Sequence, residues 1–275
     1  MKPIIKLGTA GVPLSAEKRD TVSGIKKVAE LGLQALEVEF VRGVNMSPPT
    51  AREVGKTAKA LGIGLSVHAP YYINLASGEK PILAASRKRV LDSLERGAEM
   101  GAGIAVVHAG YYGKSREAAI EMIRDACAEI AGIAEKNGWN IILGIETSGK
   151  QGQFGPLEDI VGMCAKIKNC APVVDFAHLF ARQAGKIDYG KILDSVRHYK
   201  HLHCHFSGIN YSIIAEGRGN ERNHEPIGKP PFKPLAEELL RRGADATIIC
   251  ESPLLERDAL KMKKVFEGLG YEFGE

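Results

Sequence analysis

The stretch GIGLSVHAP, residues 62–70, contains the repeating unit on which the fold prediction depends. Gly62 follows an amphipathic helical stretch, and the short apolar run after it ends in a metal-ligand residue type, His68. A helix that stops at glycine and leads into an apolar run of this length predicts one helix-to-strand step of an α/β protein. The same unit recurs on both sides of this segment, so it describes the organisation of the whole chain.

Eight short runs are predicted to be strands, and most are near-continuous in valine, isoleucine and leucine, which is typical of strands covered on both faces. They are residues 4–9, 35–40, 64–68, 104–108, 141–146, 173–175, 201–205 and 247–251. Helical stretches are predicted at residues 17–31, 52–61, 81–100, 116–136, 157–167, 188–199, 234–242 and 257–269. Eight βα units without a linker predict an α/β fold, a single-domain (β/α)8 TIM barrel that spans residues 1–275.

Local signals support these helix boundaries. Thr50 and Glu53 match a capping box at the start of the second helix. Glycines lie where helices are expected to stop, at Gly32, Gly62, Gly101, Gly138, Gly243 and Gly268. The segment 207–231 is predicted to be a long, charged loop, and loops of that length in compact domains are usually functional.

Composition narrows the class of protein. The 275 residues are 44% apolar and 25% charged, as in a soluble globular protein. The sequence has no apolar stretch long enough to span a membrane and no GxGxxG or P-loop motif, so we expect neither membrane association nor a nucleotide cofactor. The N-terminus resembles a first strand rather than a signal peptide, and the five cysteines form no CxxC, which favours the cytoplasm. The net charge of +4 permits a polyanionic partner.

Metal-ligand residue types end strands three to eight in unbroken order. They are His68, His108, Glu146, Asp175, His203 and Glu251. Because side chains at the C-terminal strand ends of a barrel converge on one face, this order predicts a shared metal centre. Imidazole and carboxylate ligands favour zinc, manganese or iron. Cys204 and Cys250 are offset by one residue and are therefore expected to face the core.

Four segments resemble motifs of the endonuclease IV family of apurinic/apyrimidinic endonucleases. They are HAPYYINLAS (68–77), ETSGKQGQFG (146–155), DFAHLFA (175–181) and ICESP (249–253). The resemblance extends in order over roughly residues 65–253. It implies a TIM barrel of the xylose isomerase-like superfamily that holds two to three Zn²⁺ ions, with Mn²⁺ or Fe²⁺ as alternatives at individual sites.

The resemblance also implies a distribution of ligands among three metals. His68, His108 and Glu146 would hold the first. Glu146 would bridge to the second metal, and Asp175, His203 and Glu251 would complete that site. The third metal would be held by His178 and His224.

The chain departs from the family pattern at the third site. The family presents Asp-x-His there, whereas this chain has Arg222, Asn223 and His224. Glu221 is the first candidate for the missing carboxylate, and Glu216 is the second. The position of His205 is expected to hold a hydrogen-bonding residue behind the ligands, and His198 is expected on the surface. His201 alternates with His203 and His205, so all three are expected to share one face of the strand.

The implied activity is hydrolysis of the phosphodiester 5′ to an abasic site in double-stranded DNA, leaving a 3′-hydroxyl and a 5′ deoxyribose phosphate. Glu146 and Glu251 would be the catalytic residues and would position the attacking water. Contacts with the DNA are predicted for Arg42, Tyr71, Tyr72, Arg182 and Arg222, with Lys150, Gln151, Arg218 and Lys229 as further phosphate-contact candidates. A monomer would leave this face open to a duplex.

Two alternatives from other functional classes stay open. A metal-dependent sugar isomerase or epimerase of the same superfamily would need one or two metals and would leave His178 and His224 without a task. A relative that binds metal or DNA without hydrolysing it would have lost catalysis through its altered third site. Metal content separates the first of these from a nuclease, since about three zinc ions favour the nuclease and one manganese favours the isomerase.

Overall fold

The computed structural model describes residues 2–274, and within them eight parallel strands close into a barrel. In chain order, the ten strands of this region are β1 (Ile5–Ala10), β2 (Ala35–Glu39), β3 (Gly64–His68), β4 (Ile104–Val107), β5 (Ile142–Glu146), β6 (Cys170–Asp175), β7 (His201–Phe206), β8 (Gly208–Ala215), β9 (Arg218–Glu225) and β10 (Asp245–Cys250). Strands β1 to β7 pair in sequence, β10 pairs with both β7 and β1, and β8 pairs only with β9. The (β/α)8 prediction is confirmed, and residues 1 and 275 of the predicted domain lie outside the described range.

The helices in residues 2–274 surround this barrel. They are α1 (Thr21–Glu30), α2 (Pro48–Ala60), α3 (Lys80–Met100), α4 (Arg116–Lys136), α5 (Leu157–Cys164), α6 (Phe176–Arg182), α7 (Tyr189–Val196), α8 (Lys233–Arg242) and α9 (Glu256–Gly268). The short helix α6 was not among the predicted helices. It begins directly after β6, where the Asp175 carboxylate accepts a hydrogen bond from the backbone N–H of His178. This cap turns the chain back over the barrel mouth.

Four predicted helix boundaries are wrong by three or more residues: α1 begins at Thr21, α2 begins four residues early, and α5 and α7 end at Cys164 and Val196. Helix α2 begins at Pro48, and its N-cap is Ser47, whose hydroxyl accepts a hydrogen bond from the N–H of Thr50. Proline fits the first helical turn because its fixed φ matches the helix and its missing N–H has no intrahelical partner there. Helix α9 does end at Gly268, as predicted, and the positive φ of 81° follows at Gly270.

The predicted long loop at 207–231 is mostly an antiparallel hairpin formed by β8 and β9. Gly208 pairs with Glu225 at its base, and Ala215 pairs with Arg218 at its tip. The hairpin packs against α6, which places it beside the C-terminal mouth of the barrel. Its apolar contacts with α6 include Ile209, which packs in a cluster with Ala177, Phe180 and Ala181, and Tyr211, whose ring meets Phe180.

The main apolar core lies between the barrel and the surrounding helices, where side chains such as Phe206, Leu235 and Phe266 are fully buried. The barrel interior differs, because Glu37, Glu146 and Asp175 are also fully buried. Charged groups at this depth need close partners, so the interior is where the functional chemistry is expected. None of the helices in residues 2–274 combines the length and the apolarity that crossing a membrane requires.

The base of the hairpin provides a test of how tightly it is docked. A Cβ atom on Gly208 would lie 2.1 Å from the carbonyl oxygen of Pro226, so Gly208→Ala should lower the free energy of unfolding by about 1–3 kcal/mol. In α4, Gly132 has open space around a Cβ atom, and Gly132→Ala should raise stability by about 0.5–1 kcal/mol. Urea unfolding followed by circular dichroism measures both. Equal effects of the two substitutions would contradict the close packing at Gly208.

Candidate metal centre

The first group of ligand-type side chains combines the ends of three adjacent strands. His68 ends β3, His108 follows β4, and Glu146 ends β5. The Nε2 atoms of His68 and His108 each lie 3.1 Å from the same oxygen of Glu146, Oε2. Ligand atoms around a tetrahedral zinc ion are separated by about 3.3 Å, so these spacings are compatible with a shared metal.

The second group consists of Glu146, Asp175, His205 and Glu251. The Nδ1 atom of His205 lies 3.2 Å from Glu146 Oε1 and 3.3 Å from Glu251 Oε1. Thr147 connects the ends of β5 and β6, because its hydroxyl accepts a hydrogen bond from the N–H of Asp175 and donates one to the carbonyl of that residue. These two hydrogen bonds hold the ends of β5 and β6 together next to Glu146 and Asp175.

The expectation that His203 completes this second group is wrong, and His205 occupies the position. Strand register explains the difference, since Asp175 pairs with His205, whereas His203 pairs with Val173, two residues deeper in the barrel. His203 instead contacts Glu37, at 3.0 Å. It also lines a cavity of about 370 Å³ at the N-terminal end of the barrel, together with Lys6, His201, Ser66 and Thr247.

The third group consists of Asp175, His178 and His224. Helix α6 brings His178 over the barrel mouth, and the hairpin brings His224 from the opposite side, so that their ring centroids are 5.2 Å apart. His224 Nε2 is 3.9 Å from Glu251 Oε2, and its Nδ1 contacts the Ser207 hydroxyl at 2.6 Å. The third group is therefore continuous with the second.

A β-bulge brings Glu221 to the same centre. Asn210 pairs with Asn223 and the next residue, Tyr211, pairs with Glu221, so Arg222 is the extra residue in β9. In a regular strand, side chains three residues apart point to opposite faces, and the extra residue reverses that relation. Glu221 Oε2 lies 3.4 Å from His178 Nε2. Glu216, in contrast, is exposed in the turn at the hairpin tip.

Two histidines are oriented by hydrogen-bond acceptors behind them, and a third, His205, lies against a carboxylate without a regular hydrogen bond. His68 Nδ1 lies 2.9 Å from the Ala69 carbonyl, and His178 Nδ1 lies 3.0 Å from the Thr147 carbonyl. His205 Nε2 lies 2.9 Å from Glu37. An outer acceptor holds the proton on one ring nitrogen and leaves the other for a metal, as is usual for metal-binding histidines.

The electrostatics of the centre indicate competition between protons and cations. Burial opposes the charge on His68, but the hydrogen bond to Glu146 and nearby carboxylates raise its pKa to about 10. Burial lowers the pKa of His108 to about 4. Burial also raises the pKa of Asp175 well above its usual range, and the charges of Glu251 and Glu146 add to this effect.

Several buried polar atoms of the centre also lack hydrogen-bond partners. In and behind the centre they are His108 Nδ1, Asp175 Oδ2, Glu251 Oε2, Glu37 Oε1, Glu39 Oε1 and His205 Nε2. Unpaired buried carboxylate oxygens are costly, and a cation would compensate them. The nitrogen and oxygen donors suit Zn²⁺, Mn²⁺ or Fe²⁺ and include no cysteine, because Cys204 and Cys250 are buried on the core side.

The centre opens into a cavity of about 670 Å³ at the C-terminal face of the barrel. Three tyrosines line it, of which Tyr71 is 62% exposed, Tyr72 is 71% exposed and Tyr111 is 46% exposed. Arg42 and Arg222 are also exposed. The phosphate-contact prediction is wrong for Arg182, which is buried and donates hydrogen bonds from Nη1 to the carbonyls of Ser148 and Lys150.

Sequence reasoning missed the two acidic residues of β2, Glu37 and Glu39. Their two-residue spacing matches the alternation of a strand, and that signal places both on the inner face. Glu37 is fully buried behind His205, and Glu39 lines the cavity beside His68. Burial, opposed by His68 but reinforced by Glu37 and Glu251, raises the pKa of Glu39 to about 8.

Comparison with known proteins gives three findings. A protein-family model described as xylose isomerase-like TIM barrel matches residues 25–267. An uncharacterized protein of Methanocaldococcus jannaschii is 36% identical over 275 residues, covering 95% of this chain and 97% of its own length. "Probable endonuclease 4" of Mycobacterium ulcerans is 26% identical over 227 residues, which are 80% of this chain and 85% of that protein.

The fold is also found in proteins of another functional class. The crystal structure of a D-tagatose 3-epimerase-like protein superimposes with a TM-score of 0.71 at 22% identity, covering 94% of this chain and 96% of that one. This similarity concerns the fold alone. The side chains of the centre, rather than the barrel, must therefore distinguish between functions.

Metal binding should release protons from this centre. Because the pKa of His68 is raised to about 10, its ring is protonated at pH 7 and must lose a proton before Nε2 can bind a metal. Affinity for Zn²⁺ should therefore increase between pH 6 and pH 8, by about tenfold per pH unit for each proton displaced. Calorimetric titration in buffers of different ionisation enthalpy measures the proton count. The His68→Gln variant should release about one proton fewer, and an unchanged count would contradict the assignment.

Proposed function

The chain belongs to the xylose isomerase-like TIM barrel family, and from that membership and the side chains of the centre we propose that it is a metal-dependent DNA-repair endonuclease. The proposed reaction is hydrolysis of the phosphodiester 5′ to an abasic site, with a 3′-hydroxyl and a 5′ deoxyribose phosphate as products. The proposed cofactor is Zn²⁺, with two to three ions per chain. Similarity to "Probable endonuclease 4" of M. ulcerans over 80% of this chain supports the assignment.

The observation that carries the proposal is the presence of three adjoining ligand groups. Glu146 belongs to the first and second groups, and Asp175 belongs to the second and third. A shared carboxylate brings neighbouring metals close enough to act on one phosphate, as in multi-metal hydrolases of phosphate esters. In such a centre His178 and His224 would hold the third metal, whereas a reaction on a single metal would give these two histidines no role.

The side chains have separable tasks in this reaction. Metals bound here would neutralise charge on the phosphate and lower the pKa of the attacking water. Glu146 would place the water, because its two oxygens face the first and second groups separately. Glu251 would orient it, since one of its oxygens contacts His205 and the other is unpaired and faces His224.

Glu221 would serve as the carboxylate of the third metal in place of the aspartate that the family pattern has at the position of Arg222. Its Oε2 already faces His178 and accepts a hydrogen bond from the N–H of Gly149, at 2.8 Å. The bulge at Arg222 compensates for the shift by one residue along the strand, because it turns Glu221 and His224 to the same side.

The proposed partner is double-stranded DNA that contains an abasic site, bound to a monomer. The exposed rings of Tyr71 and Tyr72 beside the cavity could stack where the lesion leaves a gap in the duplex. Arg42 and Arg222 would contact phosphates. All five cysteines are free and buried, which supports a place in the cytoplasm.

One observation favours sugar epimerisation or isomerisation as a second candidate. Glu146, Asp175, His205 and Glu251 form a four-ligand site by themselves, and two glutamates, Glu251 of this site and the neighbouring Glu39, line the same cavity. Such a pair would serve as acid and base on a small sugar held by one metal. A sugar epimerase or isomerase would have no role for the third group, which contains His178 and His224.

Replacement of the shared carboxylate tests the proposed reaction. Glu146→Gln should reduce incision of a duplex with one abasic analogue by at least about 10³-fold, because both adjoining metal groups lose their common negative charge. Glu158→Gln, on the outer helix α5, is the matched control and should cleave normally. Gel analysis of a labelled duplex measures incision, and wild-type cleavage by the Glu146 variant would reject the assignment. Bound but intact DNA with the wild-type protein would indicate a non-catalytic relative.

The third metal is tested separately on the hairpin. Glu221→Ala should lower the zinc content by about one ion per chain and reduce incision by about 10–100-fold, because His178 and His224 lose a carboxylate partner. Glu216→Ala, in the exposed turn of the same hairpin, is the control and should retain full zinc content. Elemental analysis after dialysis gives the zinc count. Equal zinc contents in the two variants would exclude Glu221 as a ligand.

A further inference from the structure

Glu37 is a fully buried carboxylate on β2, a strand that contributes no residue to the three metal groups. It lies behind the centre, deeper in the barrel than Glu146. A charged side chain at this depth is stable only if donors surround it. Its three close contacts therefore bear on the metal centre above it.

All three contacts of Glu37 come from groups that can donate a hydrogen bond. The Ser66 hydroxyl donates to Oε2 over 2.7 Å, and His203 Nε2 lies 3.0 Å from the same oxygen. His205 Nε2 lies 2.9 Å from the other oxygen, Oε1, and since neither atom has a hydrogen bond of regular geometry, this contact is electrostatic. Strand pairing helps to hold this arrangement, because Glu37 is directly opposite Ser66 in the β2–β3 register.

The other nitrogen of His205 faces the metal groups. Nδ1 lies 3.2 Å from Glu146 Oε1 and 3.3 Å from Glu251 Oε1. A bare nitrogen lone pair this close to two carboxylate oxygens is repelled by them unless a proton or a metal cation lies between. The His205 ring therefore joins an anion below it to a cation position above it.

We propose that Glu37 is a positioning residue for the metal centre: it holds the Nε2–H tautomer of His205 so that Nδ1 is presented to the second metal. Ser66 and His203 in turn fix the orientation of Glu37. A histidine whose far nitrogen donates to a carboxylate is a stronger and better oriented ligand. The inference rests on the metal centre of the proposed function and not on the DNA substrate.

The same contacts also explain the role of His203. Glu37, His203 and His205 by themselves form a fourth group of ligand-type side chains. However, Oε2 of Glu37 already accepts from Ser66 and His203, and Oε1 faces the ring nitrogen that His205 must keep protonated if Nδ1 is to bind above. His203 thus acts as a donor to Glu37.

The test uses cobalt as a spectroscopic substitute for zinc in the full-length protein. Glu37→Gln should weaken Co²⁺ binding at the second site by about 10–100-fold and change its visible absorption, because the amide can donate to Nε2 and no longer holds one tautomer. Ser66→Ala, which leaves the carboxylate in place, should weaken binding less. Nitrogen-15 spectra of the zinc-loaded protein should report an Nε2–H tautomer for His205 in the wild type and its loss in Glu37→Gln.

Each outcome is decisive. Unchanged cobalt affinity, absorption and tautomer in Glu37→Gln would overturn the proposal. Loss of a whole bound metal in His203→Phe would also overturn it, since His203 and Glu37 would then be ligands. If Glu37→Gln does not fold, two other measurements test the proposal: the His205 tautomer in the wild type and the cobalt affinity of Ser66→Ala. An affinity of Ser66→Ala equal to that of the wild type would count against the proposal. Weakened cobalt binding in a protein that fails to incise DNA would uphold this inference and reject only the proposed reaction.

Discussion

The centre depends on one buried carboxylate, Glu146, whose two oxygens contact four histidines. Oε2 faces His68 and His108, and Oε1 faces His178 and His205. Burial opposes its negative charge, but His108 and His205 nevertheless hold the pKa of Glu146 well below its usual range. A charge of this kind is stable in the interior only when it is fully surrounded by partners. The other strand ends must therefore converge around it, and the closed barrel is what allows them to.

The barrel provides a stable apolar core and a polar site in two separate places. Apolar packing between strands and helices stabilises the domain, and it includes side chains such as Phe206 and Phe266. The interior of the barrel is thereby free to hold a column of polar groups, from His203 through Glu37 and His205 to Glu146. Because the same barrel also occurs in an epimerase-like protein, the activity depends on what is added around this column. In this chain, helix α6 and the β8–β9 hairpin contribute His178, Glu221 and His224 to those surroundings.

Most of the fold and part of the centre could be predicted from the sequence. Eight βα units with strands apolar enough for burial on both faces predicted the barrel, and the histidines and carboxylates at six strand ends predicted its functional face. The choice between His203 and His205 could not be made in this way. Both residues face inward by alternation, and the pairing of Asp175 with His205 places His205 beside that ligand. Arg182 was misjudged for a similar reason, because its burial results from the loop that folds over it.

The sequence by itself determined the (β/α)8 architecture and the residue types at the strand ends, because both follow from local periodicity and from the direction of parallel strands. Only the tertiary structure decided which atoms meet. The bulge at Arg222 brings Glu221 to the same side as His224, and closure of the barrel places Glu37 of β2 behind His205 of β7, across the interior. Register, bulges and barrel closure involve residues far apart in the chain, and a local pattern of side chains does not contain that information.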